Sequence, residues 1–416
     1  MLRRNNAAWS VVALAPLGFY LLYLAPGVSF CAVPFQFAVQ SHFNGFCATI
    51  LSLIAPFSRV PVLCLALFAA VIAYLFFFTP DRLRAAFYAA GAFFLMSTTA
   101  HPWYLLLATI FVPFYPSLPW IMLHLTVGFA ALVNIAYVET GVWKESGLLW
   151  TAEYVPFALA ALWAFISRTS FAAVRFEKPS FLSIVIPTIN ERENILACID
   201  AIAPCKELSH EIVVADGGST DGTLEALAHR PAVRVVGAHR GRGIQIGRGI
   251  AASQGDVILV LHADSRPDKS LIPSLAHALG KSPHIAGGAF RARYRSNRKR
   301  YVLTSWLNNC RTLLTGISFG DQAQFFRTAA IGRGFPLLKI MEDVELSFLM
   351  MESGSVAFLK CCVSNSVRKW ERDGYIRNCA TVVWLTLRYV VLRGFGLHPA
   401  DCEEYYVRYY QQRLGS

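Results

Sequence analysis

Acidic residues are almost missing from the first 170 positions of this chain. None occurs before Asp81, and only Glu139, Glu145 and Glu153 follow before Ser170. A stretch so poor in charge is dominated by apolar runs, and a run of about 20 residues is what a helix needs to cross a bilayer. Runs at 8–30, 60–78, 118–137 and 149–166 reach or approach that length, and shorter ones at 83–98 and 103–115 add two candidates. Residues 1–170 therefore read as a polytopic transmembrane α-helical domain of about six helices. The first run is long and lacks a clear small-residue cleavage site, so it is not read as a secretory signal.

Orientation follows from the basic residues. Arg3 and Arg4 precede the first run, Arg82 and Arg84 separate the second from the third, and Arg168, Arg175 and Lys178 follow the last. An even number of crossings puts all three clusters on one side, and the positive-inside rule makes that side the cytosol. The expected location is the inner membrane, multi-pass, with the catalytic part of the chain cytoplasmic. The 416 residues are 55% hydrophobic, with a mean hydropathy of +0.44, too apolar for an ordinary soluble protein. The net charge of +12 comes without a nucleic-acid-binding motif. An anionic membrane surface is the expected partner, and nucleic acid is not. Ten cysteines show no CxxC spacing, which argues against a zinc site or a disulfide framework.

Beyond residue 180 the pattern changes to apolar strands alternating with helices. Strands are expected at 181–188, 211–216, 233–237 and 257–262, and helices at 193–203, 221–229 and 244–253. Repeated strand–helix units imply an α/β domain with a mostly parallel sheet covered on both faces. Ligands bind such sheets beyond the carboxyl ends of the strands, and the polar clusters lie there. Pro187, Asn190 and Glu191 close the first strand, and the segment from Asp216 to Thr223 closes the second. Asp216 is placed to accept hydrogen bonds from a base or ribose, or to cap its own turn, a role Asp, Ser and Thr also favour.

His262 and Asp264 stand two residues apart at a strand end, hence on the same side. Glu342 and Asp343 open an amphipathic helix, as a site for chemistry or as compensation for the helix dipole. Adjacent on a helix, those two carboxylates are expected to point apart. Arg240, Arg242 and Gln245 surround a glycine-bearing loop before a helix, suited to phosphate oxygens or to a solvated basic face. His262 is either a cation ligand or a structural residue.

The run LSIVIPTINERENI followed by EIVVADGGSTDGT resembles the family 2 glycosyltransferases of the GT-A fold, a Rossmann-like α/β fold, and the resemblance covers 183–354. Further matching motifs are Gly241 to Gly243, LHADS at Leu261, Gly287-Gly288-Ala289-Phe290, Phe319-Gly320-Asp321-Gln322 and MEDVELS at Met341. With the segment from Arg368 to Gly374 they look most like the bacterial selenodomain-associated transferase subfamily. The resemblance implies a nucleotide-sugar donor held by Pro187, Glu191, Asp216, Arg242 and Asp264. It also implies a divalent cation, Mn2+ or Mg2+, on Asp264, with His262 standing where the family has its first Asp. Asp343 would be the base that deprotonates the acceptor in an inverting transfer. Gly288, Asp321, Gln322, Glu342 and Trp370 would line the acceptor site.

His101-Pro102-Trp103-Tyr104 resembles an element of the polytopic transferases that take sugars from polyprenyl phosphates, a GT-C-like family, though it also suits an ordinary aromatic belt. Those enzymes use an acidic residue in an early external loop, and the first 80 residues here have none. The expected organisation is a membrane domain at 1–170, a GT-A domain at 180–365 and a C-terminal helical extension at 366–416. The apolar stretch 375–396 is interrupted by Arg377, Arg388 and Arg393, which fits an interfacial helix better than a span. The expected activity is sugar transfer to a lipid or polyprenyl-phosphate acceptor. The alternatives are a processive polysaccharide synthase, for which Ser366, Lys369 and Trp370 depart from QxxRW, a non-catalytic sugar-nucleotide-binding membrane protein, and a transporter.

Overall fold

The computed structural model of the protein describes residues 43–395, except 80, 116, 131, 134–138, 141–145, 168–173, 203–204, 207 and 333–334, and except the side chains of 165–167, 369 and 373. The chain divides near residue 172 into two compact units.

The first unit is helical, with Phe46–Ser52, Val60–Phe78, Arg82–Met96, Leu118–Thr126 and Gly147–Ser167 as its main helices. Among the described residues, two helical stretches are long and apolar enough to cross a membrane, Phe57–Phe78 and Gly147–Ala164. They coincide with the expected runs at 60–78 and 149–166, while 8–30 lies outside the described residues. The other runs fall short. The stretch 83–98 yields a 15-residue helix, 118–137 gives way to a 3-10 turn after Thr126, and 103–115 is broken into two short turns. Pro102 starts that last stretch and Pro113 and Pro116 end it, and a proline inside a helix removes a hydrogen bond and clashes with the preceding turn. Apolarity alone does not supply helix continuity. Phe87, Phe94, Leu105, Trp120, Leu123 and Tyr154 form the core of this unit. Beside it, Asn44 Nδ2 donates to both carboxylate oxygens of the buried Glu153, at 3.0 and 3.1 Å.

The second unit is built on one eight-stranded sheet. Its strands are β1 (Phe181–Thr188), β2 (Ser209–Asp216), β3 (Val233–Gly237), β4 (Val257–Val260), β5 (Arg266–Pro267), β6 (Ile285–Tyr294), β7 (Phe325–Arg327) and β8 (Ser355–Asn365). Their order across the sheet is β3-β2-β1-β4-β7-β6-β8-β5. The first four strands run parallel, as expected from the strand–helix alternation. The sheet then turns mixed, because β7 is antiparallel to both β4 and β6, and β5 is antiparallel to β8.

Side chains of a strand alternate between faces, and β1 supplies both cores. Leu182, Ile184 and Ile186 pack with the helices Arg192–Asp200 and Leu271–Lys281, while Val185 packs with Ile246, Leu346 and Met350 on the opposite face. That double burial explains the near-continuous apolar strands, and it leaves the strand ends as the place where polar groups can gather. After β4, Leu261 N still donates to Val185 O at 3.0 Å, and then a turn closed by Ser265 N to His262 O, also 3.0 Å, lifts the chain out of the sheet.

Candidate active site

The loops after β1 and β2 are laced to each other. Asn190 N donates to Ser219 Oγ and Thr220 N to Asn190 Oδ1, both at 2.9 Å. Glu191 N donates to Thr223 Oγ1 and Arg192 N to Asp221 Oδ2, both at 3.1 Å. Asp216 is 4% exposed, and its carboxylate accepts from Gly218 N at 2.8 Å, Ser219 N at 2.9 Å and the Ser219 hydroxyl. Of the two roles open to Asp216, the structure supplies the turn cap. Gln245 was expected near phosphates, but it is buried and its Nε2 donates to Thr188 O at 2.7 Å, bracing the end of β1. Pro187 sits half-buried opposite Ala215 in the same edge. Arg240 is exposed.

The acidic pair opens the helix Glu342–Ser353, as expected. The expectation that its two carboxylates diverge does not hold. Arg242, at the start of the helix Arg242–Ala251, holds both: its Nε donates to Glu342 Oε1 and its Nη2 to Asp343 Oδ2 at 3.1 Å. Neighbouring residues on a first helical turn lie about 100° apart, and a forked guanidinium between them reaches both. Gly320 N also donates to Asp343 Oδ2, at 2.9 Å. Burial, opposed by Arg242 and reinforced by Asp343, pushes the Glu342 carboxyl up to about 7. Its Oε2 has no hydrogen-bond partner among the described residues. At 1% exposure Glu342 cannot line an acceptor site; it anchors Arg242 instead.

His262 faces the same place. A Cβ on Gly320 would stand 2.6 Å from His262 Nε2 and 3.6 Å from Asp343 Oδ2, so only glycine lets the imidazole and the carboxylate meet over that backbone. Burial first, and then the charge of Arg242, hold the ring below its ordinary pKa against the carboxylates of Asp264, Asp321 and Asp343. His262 Nε2 is buried without a hydrogen-bond partner among the described residues, and a ring nitrogen left so is a candidate cation ligand. The Asp264 side chain receives no hydrogen bond among the described residues, while its backbone carbonyl accepts from Arg295 Nη2 at 3.0 Å. Its charge also acts on Glu191, whose carboxyl burial raises and whose Oε2 accepts from Asn194 and Arg368. No group of three or more His, Cys, Asp or Glu side chains among the described residues is spaced to hold a metal alone. One carboxylate fits a cation that takes its other ligands from water and substrate phosphates, as Mg2+ does at such sites, and an added imidazole suits Mn2+ better.

On the other side of Asp343, Asp321 accepts from Tyr294 Oη at 2.8 Å and from Asn308 Nδ2 at 3.2 Å. Gln322 is fully buried, and its Oε1 accepts from Arg311, Thr312 and the Phe319 backbone. Trp370 packs edge-on to Tyr294 at 5.7 Å, which brings it within one side chain of Asp321. Gly288 does not belong here. It lies inside the sheet, where an added Cβ would meet Ala357 O at 1.9 Å, so its glycine serves strand packing. The side chain of Lys369 lies outside the described residues. Sequence reading missed Asn308 and Arg311 of the helix Lys299–Thr315, and it missed Arg266, Arg295 and Arg368, whose charges act together beside Asp264 and lower the Arg295 guanidinium after burial has done so. Only Arg368 sits in a motif, the segment from Arg368 to Gly374; chain-distant convergence alone marks the others.

Residues 183–337 match the model of Glycosyl transferase family 2. The undecaprenyl-phosphate 4-deoxy-4-formamido-L-arabinose transferase of Yersinia pestis (strain Pestoides F) is 31% identical over 156 residues, which cover 35% of this chain and 47% of that protein. The dolichol-phosphate mannosyltransferase of Pyrococcus furiosus is 34% identical over 114 residues, 26% of this chain and 32% of that one. The chain thus spans about half or less of the length of these curated relatives. Among solved structures, glucosyl-3-phosphoglycerate synthase from Mycobacterium tuberculosis in complex with Mn2+, UDP and glucosyl-3-phosphoglycerate is 21% identical, covering 55% of this chain and 83% of that one, with a TM-score of 0.37. S. aureus TarS is 18% identical over 44% of this chain and 60% of that one, with a TM-score of 0.36.

Proposed function

We propose that this chain, which carries a family 2 glycosyltransferase domain of mixed α/β architecture over residues 183–337, moves a sugar from a nucleoside-diphosphate donor to a lipid acceptor, a polyprenyl phosphate. The observation that carries the proposal is the convergence of Asp343 and His262 over Gly320, with the Asp264 carboxylate near enough for its charge to act on the His262 ring. It is supported by similarity to proteins named as undecaprenyl-phosphate and dolichol-phosphate sugar transferases.

In the proposed reaction the acceptor oxygen attacks the anomeric carbon as the bond to the diphosphate breaks. Asp343, fixed by Gly320 N and Arg242, takes the proton of the monoprotonated acceptor phosphate as its oxygen attacks, and attack opposite the leaving group inverts the anomeric configuration. A divalent cation shared with the diphosphate would neutralise charge on the leaving nucleoside diphosphate. Asp264 and His262 would hold that cation, and Asp216 keeps the nucleotide side of the edge rigid. Asp321 and Trp370 form the acceptor side, and the fully buried Gln322, expected there too, braces Arg311 and Thr312 behind them. Residues 1–170 anchor the protein in the inner membrane as a multi-pass domain, with the transferase unit in the cytosol.

The test is a donor screen on purified full-length protein in nanodiscs, following nucleoside diphosphate release with Mn2+, Mg2+ or EDTA. Cation-dependent release from one sugar nucleotide, stimulated by polyprenyl phosphate, is the expected result. Loss of that dependence in Asp264→Ala would place the cation. Silence with every donor, while nucleotide still binds, would leave a sugar-nucleotide-binding protein without transferase activity.

A further inference from the structure

The helix Lys299–Thr315 is built inside out. Amphipathic helices of soluble domains turn their apolar stripe to the core and their polar face to water. Here the inward face is polar and bonded into the domain. Asn308 donates to Asp321, Arg311 and Thr312 donate to Gln322, Ser305 Oγ accepts from Tyr294 N at 3.1 Å, and Asn309 Oδ1 accepts from Ala292 N at 3.0 Å. The outward face carries Val302, Leu303, Trp306, Leu307 and Leu313, each between 51% and 60% exposed. At about 100° per residue these five fall on one arc of roughly 140°, so they form a stripe and not a scatter.

Charge points to what covers the stripe. Between residues 291 and 320 the chain holds seven basic residues and no acidic one. Arg291, Arg293, Arg295, Arg298, Lys299 and Arg300 are all exposed and lead directly into the helix. A basic flank feeding an apolar, Trp-bearing helix face is the composition of a helix that lies in the plane of an anionic bilayer. The apolar surface continues beyond this helix. Tyr375, at the start of the helix Tyr375–Gly394, is hydrogen-bonded to Thr304 at 2.6 Å, and the next residue, Ile376, is 80% exposed.

We propose that the outer face of Lys299–Thr315 is a bilayer-docking surface of the transferase unit, seated on anionic lipid through Leu303, Trp306 and Leu307. Because Asn308 and Arg311 on the opposite face bond to Asp321 and Gln322, lipid contact and the acceptor side of the site share one rigid helix. The docking surface deepens the lipid-acceptor reading above, yet it can be tested without turnover.

The experiment is photocrosslinking of the full chain in nanodiscs, with p-benzoylphenylalanine replacing Trp306, Leu303 or, as an exposed control in the helix Thr223–Ala228, Glu225. Intact-mass analysis then separates lipid adducts from crosslinked dimers. Lipid adducts are expected at 303 and 306 and not at 225. Their yield should rise when phosphatidylglycerol replaces phosphatidylcholine, and should fall in the combined Arg298→Ala, Lys299→Ala and Arg300→Ala variant. A dimer adduct at 303 and 306 would make the stripe an interface between copies, and absence of lipid adducts there would make it a face covered by other protein; either overturns the proposal. Crosslinking that succeeds while no donor is turned over would refute the proposed activity and leave the docking surface standing.

Discussion

The two sides of the sheet's carboxyl edge solve the same problem in opposite ways. At the β1–β2 side, the side-chain oxygens of Asn190, Asp216, Ser219 and Asp221 are spent on backbone N–H groups of their own and the neighbouring loop. At the helix Glu342–Ser353, charge is set against charge, and atoms are left over. Among the described residues of this unit, the buried side-chain polar atoms without a partner belong to His262, Tyr301, Arg311 and Glu342. An unpaired buried polar atom costs stability. One side of the edge is thus bonded into a rigid pair of loops, while the other keeps polar atoms in reserve.

Substitutions on the two sides should therefore fail differently. The largest effect is expected from Asp343→Asn, which keeps the shape and removes the base. Turnover should fall by about 10² to 10⁴, with donor binding by calorimetry nearly unchanged; wild-type turnover would sink the base assignment. Next is Arg242→Ala. It strands the buried Glu342, and breaking a buried ion pair costs about 3–5 kcal/mol, read as a drop in the thermal midpoint.

Glu342→Gln tests the same pair through pH. The carboxyl stands near 7 in the folded chain against an ordinary value of 4.5. The folded state therefore keeps a proton that the unfolded chain releases. Stability from this group is present below pH 4.5 and is lost as pH rises through 7, by about 3 kcal/mol in all. Unfolding of wild type followed across that window should slope downward with pH, and the Gln variant should lose the slope. If both slope alike, Glu342 is not the group responsible. The smallest effect belongs to the satisfied side: Asp216→Asn should cost about 1–3 kcal/mol of stability through lost acceptors, leaving the Glu342 slope intact.

What could be read from the sequence follows the same division. Strands β1, β2 and β4 were legible because each is an apolar run buried in the sheet, and β3, half-exposed at the sheet edge, because its short valine run falls between two helices that follow their strands within a few residues. The three-residue β7 and two-residue β5 were not, since neither is long enough to show a period. Asp343, Asp264 and Asp216 announced themselves through motifs. The grip of Arg242 on Glu342, 100 residues away, has no local signature, and Glu342 was expected to point elsewhere. In the helical unit, apolar runs marked two stretches of spanning length, whereas prolines and short turns decided against two others.

The inverted helix Lys299–Thr315 also bears on how the protein behaves in a test tube. Cutting away residues 1–170 is the obvious route to a water-soluble enzyme, but the oily stripe of Val302, Leu303, Trp306 and Leu307 stays behind on the fragment. Such a fragment would leave the cell carrying phospholipid or stuck to its own copies, and detergent would be needed to keep it dispersed. Recoding one side of one helix with Lys and Glu, at positions that face away from Asn308 and Arg311, is the shorter path to a well-behaved sample.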